Sequence, residues 1–183
     1  MSRIELTAAY VRECLDYNVE TGAFIWKLRP CEHFKSDRAC KAWNARFCGR
    51  CAGSLRNDGY IHICIDYRYY LAQRIAWIYM IGEWPNRIVD HYNLDGSDNR
   101  WINLREASHS QNGANRMAQR NNTSGIKGVY WFRQTKKWHA RIQVDGSYRH
   151  LGYFITKAEA ALAYKKAAIE FYGEFARFDG VAA

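Results

Sequence analysis

The sequence predicts an α+β fold: an N-terminal mixed region containing a strand–loop–strand–helix unit, then a three-stranded antiparallel sheet packed on one helix. Three observations predict it. Apolar residues recur at helical spacing in two N-terminal segments that are flanked by short strand patterns. Residues 87–119 run strand, loop, strand, helix. Beyond a polar run at 120–125, three strand patterns are joined by the hairpin signal Asp145-Gly146 and followed by a capped helix. A hydrophobic fraction of 48% with 15% aromatics supplies buried cores for both parts.

In chain order, Leu6 to Tyr17 carries Leu6, Ala9, Val11 and Leu15 at helical spacing, and Asn18 to Gly22 is a turn. Ala23 to Lys27 is a short strand. Residues 29 to 55 are loop-rich and basic, with Trp43 as an anchor. Tyr60 to Ile65 alternates into a strand, which Tyr67-Arg68 turns back into Tyr69-Tyr70-Leu71. Ala72 to Ile81 is an amphipathic helix (Ile75, Ala76, Ile78, Tyr79), stopped by Gly82 and Pro85. Arg87 to His91 is a strand that delivers Asp90 and His91 at its end. Leu104 to Ala107 is its partner, and Ser110 to Gln119 a helix carrying Asn112.

The polar run Arg120 to Gly125 is a linker. It divides the chain into residues 1–119, with the core motif at 87–119, and a second domain at 126–180. In that domain Val129 to Phe132 is the first strand. Trp138, Ala140, Ile142 and Val144 alternate with Lys137, His139, Arg141 and Gln143 in the second, and Tyr148 to Phe154 is the third. Thr156 and Glu159 form a capping box, and Gly173 closes the helix.

A net charge of +9 suits an anionic polymer or surface. No apolar run approaches the roughly 18 residues of a membrane span, and the N-terminal stretch is too polar for a signal peptide. The expected setting is therefore intracellular and cytoplasmic, without a membrane partner. There the six cysteines are expected to stay reduced. Cys31, Cys40, Cys48 and Cys51 are clustered, but only the last pair has the two-residue gap of structural zinc sites. The spacing favours small buried residues over a structural zinc.

Asp90-His91, Asn99, Asn103-Leu104 and Asn112 place a carboxylate, an imidazole and a distant amide in one short unit. The string "RIVDHYNLDGSDNRWINLREASHSQNGAN" resembles the HNH nucleases, in particular the phage homing-endonuclease branch, over about thirty residues. The resemblance implies a ββα-metal unit that hydrolyses phosphodiesters with one magnesium or manganese ion. Asp90 and Asn112 would be its metal ligands, and His91 the general base. Asn103 would brace the loop, with Asn99 as the rival brace. Arg100 and Arg105 are candidate phosphate contacts, because guanidinium forks match phosphate geometry. One departure stands upstream: many relatives begin the preceding helix Ala-His-Arg, and this chain has Ala72-Gln73-Arg74.

Residues 123–179 resemble the plant ethylene-response-factor type DNA-binding domain, sharing S-G-x-x-G-V, K-W-x-A-x-I, L-G-x-F and the alanine-rich E-A-A-x-A-Y helix. The resemblance implies a sheet laid against double-stranded DNA. Its outward positions here are Tyr130, Phe132, His139, Arg141, Gln143, Tyr148 and His150. Lys127, Arg133, Lys137 and Arg149 would add phosphate-binding charge. Arg141 and Gln143 are the candidates for base-edge contacts.

Together the two resemblances imply a site-directed DNA endonuclease of the homing type, acting in a phage-infected bacterial host and leaving 5′-phosphate and 3′-hydroxyl ends. A single nuclease unit makes a monomer that nicks the simpler expectation. The alternative is a DNA-binding regulator whose nuclease unit is inactive.

Overall fold

The structure is a computed structural model and describes residues 6–119 and 121–178. It is mixed α+β, with five α-helices and several small antiparallel sheets among those residues. Two compact units divide it, Met1–Glu106 and Ala107–Ala183. Among the described residues no helix is long and apolar enough to cross a membrane.

In the first unit, Thr7 caps helix α1 (Ala8–Cys14) by accepting from the Tyr10 amide. The helix ends earlier than its apolar spacing predicts. Leu15–Tyr17 is strand β1, paired antiparallel with β2 (Phe24–Trp26). Val11, Cys14, Leu15 and Tyr17 are all buried, so the apolar pattern alone cannot tell helix from strand, and the partner strand decides.

The segment expected to be loop-rich contains helix α2 (Asp37–Phe47), N-capped by Ser36. Trp43 anchors it, edge-on to Trp26 and beside Phe47. Cys31 and Cys40 are joined by a disulfide, their Cα atoms 5.2 Å apart, which corrects the expectation that all cysteines stay reduced. The short helical turn at Cys31–His33 brings the first sulfur onto α2. Cys48 and Cys51 are exposed and unbonded. The four do not make a zinc clip, and no group of three or more His, Cys, Asp or Glu able to hold a metal occurs among the described residues.

Strands β3 (Ser54–Leu55), β4 (Ile61–Ile65) and β5 (Arg68–Leu71) form an antiparallel sheet in that order. The β4–β5 reversal falls at Asp66-Tyr67, one residue earlier than expected, and both residues take left-handed φ. Helix α3 covers Ala72–Ile81 and ends on Gly82 at φ 95°. Ile63, Ile65, Ile75 and Ile78 join Val11 and Leu15 as the fully buried centre of this unit. Each such side chain contributes about 1.5–3 kcal/mol through burial. Strand β6 (Ile88–His91) then pairs with β7 (Leu104–Ala107).

In the second unit, α4 (His109–Asn115) opens with a reciprocal Ser108–Gln111 capping box and is shorter than expected. Of the expected linker, Arg120 lies outside the described residues. The remainder is pinned down: Asn122 Nδ2 donates to the Ile126 carbonyl at 2.8 Å, and Ser124 is buried. Strands β8 (Val129–Phe132), β9 (Lys137–Val144) and β10 (Ser147–Phe154) form a sheet in the order β10-β9-β8. Asp145 and Gly146 turn the hairpin with φ of 47° and 81°. Helix α5 (Lys157–Tyr172) lays Ala160, Ala161, Ala167, Ala168 and Tyr164 into one core with Val129, Ala140 and Ile142. The close fit extends to Gly128, where a Cβ would lie 2.2 Å from the Tyr164 ring.

Candidate active site

Asp90 and His91 close strand β6, pointing to alternate sides as strand geometry requires. Both are buried, at 5% and 4% exposure. From the neighbouring strand, Arg105 Nε donates to Asp90 Oδ2 at 3.2 Å, and its guanidinium lies 4.8 Å from the centre of the Tyr92 ring. The guanidinium gives the buried carboxylate a charged, hydrogen-bonded partner. His91 Nε2 lies 3.3 Å from Asn99 Oδ1. An amide oxygen can only accept, so Nε2 carries the proton and the basic lone pair of the neutral ring is on Nδ1. Burial pushes the His91 pKa below its usual value, against the opposing pulls of Asn99, Asp90, Asp95 and Asp98. The imidazole is therefore neutral at pH 7.

The loop between β6 and β7 is held by its own amides. Asn103 accepts from the Asn93 amide at 3.0 Å and donates to Asn93 Oδ1 and the Asp98 carbonyl at 3.0 and 2.7 Å. Its carbonyl accepts from the Tyr92 amide at 2.9 Å. Asn99 is fixed from outside the loop: Tyr17 donates its hydroxyl to the Asn99 carbonyl at 2.6 Å. Gly22 sits so close that a Cβ there would lie 2.4 Å from the Asn99 backbone. Strand β1 and the turn after it thus set the residue that orients His91. Asn103 shapes the loop, while Asn99 touches the imidazole.

The two arginines expected at phosphate have partners within the chain. Arg105 faces Asp90 as described. Arg100 grips Asp98 through Nε and Nη2 at 2.8 and 2.6 Å, and this pairing holds the Asp98 carboxyl down to about 2. Gln73, in the first turn of α3, is buried, and its Oε1 has no hydrogen-bond partner among the described residues.

Asn112 lies on α4 in the second unit, partly exposed. The helix is fastened within that unit. Ser110 Oγ is 3.0 Å from the Tyr172 hydroxyl and accepts from the Asp145 amide at 3.1 Å, while Tyr172 donates to the Gln143 carbonyl. Lys127, expected to face phosphate, instead donates to the Gly113, Ala114 and Arg116 carbonyls at 2.9, 2.7 and 2.8 Å. Its ammonium thus serves the carbonyl end of α4. Asp90 and Asn112 both offer oxygen donors, the hard ligand type that suits magnesium or manganese.

The outer face of the C-terminal sheet carries two side-chain groups. Arg141 is held between the Tyr130 and Tyr148 rings, 4.9 and 4.2 Å from their centres. His139 and His150 approach Nε2 to Nδ1 at 2.8 Å, with Tyr153 stacked on His139 and beside Phe132. Register places Gln143 opposite Tyr148, and Lys137 opposite Phe132. Arg133 is exposed just beyond β8. Arg149 departs from the expectation: it alternates to the helix side and stacks over Phe171 of α5 at 4.8 Å. Sequence reasoning missed Tyr153, because a register shift between His150 and Gly152 returns it to the outer face. It also missed Tyr17 and Gly22, which have no local motif.

The HNH endonuclease family model matches residues 70–114, spanning helix α3, strand β6 with Asp90 and His91, and its partner β7. The chain is 28% identical over 90 residues to Protein 3.8 of Escherichia phage T7, a match covering 49% of this chain and 74% of that protein. No solved structure matches. The family match supports a nuclease acting on nucleic acid.

Proposed function

We propose that the chain is a site-directed DNA endonuclease of the homing type that hydrolyses a phosphodiester and leaves 5′-phosphate and 3′-hydroxyl ends. The observation carrying this reading is the buried His91–Asn99 pair at the end of β6, beside Asp90, inside the segment that matches the family. His91 Nδ1 takes the proton from the attacking water, and the imidazolium so formed is stabilised by the Asn99 amide oxygen and the nearby carboxylates. Asp90 and Asn112 would hold one magnesium or manganese ion, which supplies charge neutralisation at the phosphoryl oxygens and at the departing 3′ oxygen when bound. Arg105 orients Asp90 through their hydrogen bond.

The outer face of the C-terminal sheet positions double-stranded DNA. Arg141, preset between two tyrosines, and Gln143 read base edges; Lys137 and Arg133 meet phosphates. His139, Tyr148, His150, Tyr130 and Phe132 complete the contact face. A linear or supercoiled plasmid carrying the flanking genomic sequence tests the reading. Metal-dependent cleavage by the wild type, lost in Asp90→Ala and Asn112→Ala, is the expected result.

One observation favours a second reading, a DNA-binding regulator with an inactive nuclease unit. Gln73 stands where many relatives carry histidine, and its buried oxygen is unsatisfied among the described residues. Under that reading the wild type binds DNA without cutting it, and Gln73→His gains cleavage.

A further inference from the structure

The first unit contains a cavity of about 670 Å³ that no step of the proposed reaction uses. It lies between α2 and the outer face of the β3–β4–β5 sheet. Trp43, Phe34 and Tyr69 supply aromatic walls, and Lys35 and Arg56 supply positive charge. Tyr69 is 61% exposed, and the Arg56 guanidinium is 4.8 Å from its ring centre. The charge balance is one-sided. Arg29, Lys35 and Arg56 line the cavity with Asp66 as the carboxylate among them, and that carboxylate is bonded to Arg29 at 2.7 Å. Arg29 itself is buried against the Phe34 and Trp43 rings, each 5.0 Å away, so the aromatic wall is stiffened from behind.

From this we infer that the cavity receives an unpaired nucleotide of a DNA strand, its base against the aromatic wall and its phosphates on Lys35 and Arg56. The volume falls in the range of about 300–1,000 Å³ typical of small-ligand pockets, enough for a base with its sugar. Aromatic faces accept any base by stacking, and flanking cations track the backbone, the combination that single-strand binding sites use. A duplex keeps its bases stacked and cannot offer one to a cavity without unpairing it. The inference rests on DNA as the substrate, yet it concerns binding alone.

The test uses the full chain without added metal, so that loss of cleavage cannot mask the result. Anisotropy of a labelled dT12 strand is titrated against wild type, Tyr69→Ala, and Lys35→Ala with Arg56→Ala, each first shown to melt like the wild type. The expected result is about a tenfold or larger loss of dT12 affinity in both variants. A blunt duplex should lose little affinity in either cavity variant. Equal dT12 affinity in wild type and both cavity variants overturns the inference. So does dTMP displacing dT12 at stoichiometric concentration, which would make a free nucleotide the ligand.

Discussion

His91 Nε2 and Asn99 Oδ1 are 3.3 Å apart, in side chains that are both buried, and this contact fixes which ring nitrogen of His91 is basic. The contact in turn depends on Tyr17 and Gly22, which hold the Asn99 backbone from the far side.

Asn99→Ala leaves the His91 N–H without its acceptor. A buried donor left unpaired costs about 1–3 kcal/mol, which denaturant melts should register. Cleavage should fall by about tenfold or more as the wrong tautomer becomes populated. A variant that cuts at the wild-type rate would show that the contact does not orient the base.

The pH dependence follows from burial of His91. Its folded pKa lies below the usual 6.5, so the native state binds fewer protons than the unfolded chain between the two values. Stability from this group is complete above about pH 6.5 and is lost as the pH falls toward the folded value. The rate should be flat from about pH 7 to 8 and decline only below about 6.5. Asn99→Asp places a carboxylate beside the ring and should move that midpoint upward. Rate against pH for the two proteins checks both statements.

Lys127 separates structure from binding. Lys127→Met removes three charge-assisted bonds to the end of α4 and should destabilise the protein by about 1–3 kcal/mol. The salt dependence of DNA affinity should not change. Lys137→Ala, by contrast, should leave stability alone and reduce the salt slope by about 1. Removing residues 123–183 strips Lys127, Asp145 and Tyr172 from α4 together. Cleavage should then disappear along with site choice.

On the sheet face, Arg141→Ala should cost about 1–3 kcal/mol of DNA affinity and relax preference at one base position. Competition binding across a substituted site set reads this directly. A uniform loss over all sequences would make Arg141 a phosphate contact.

Much of the fold is written in local pattern. Helix α3 follows from apolar periodicity and Gly82, and the β9–β10 hairpin from Asp145-Gly146. Helix α2 escaped notice because Cys40, Trp43 and Phe47 are its few apolar contacts amid basic residues, although Ser36 is a proper cap. Strand β1 was hidden inside a longer apolar run. In the site, Asp90, His91, Asn99 and Asn103 stand out by motif. What they lack in sequence is distance: Tyr17 reaches Asn99 across 82 residues, and no local pattern encodes that. The inward turn of Lys127 and the helix-side position of Arg149 are likewise products of packing.

The central claim is that His91 is the base of a cutting enzyme. Nicking of a supercoiled plasmid carrying the flanking genomic site, with magnesium, compares wild type and His91→Ala at matched DNA occupancy. The account predicts cleavage by the wild type and a loss of about a hundredfold or more in the variant, with binding intact. Unchanged nicking by His91→Ala, or no metal-dependent nicking by the wild type, would contradict it.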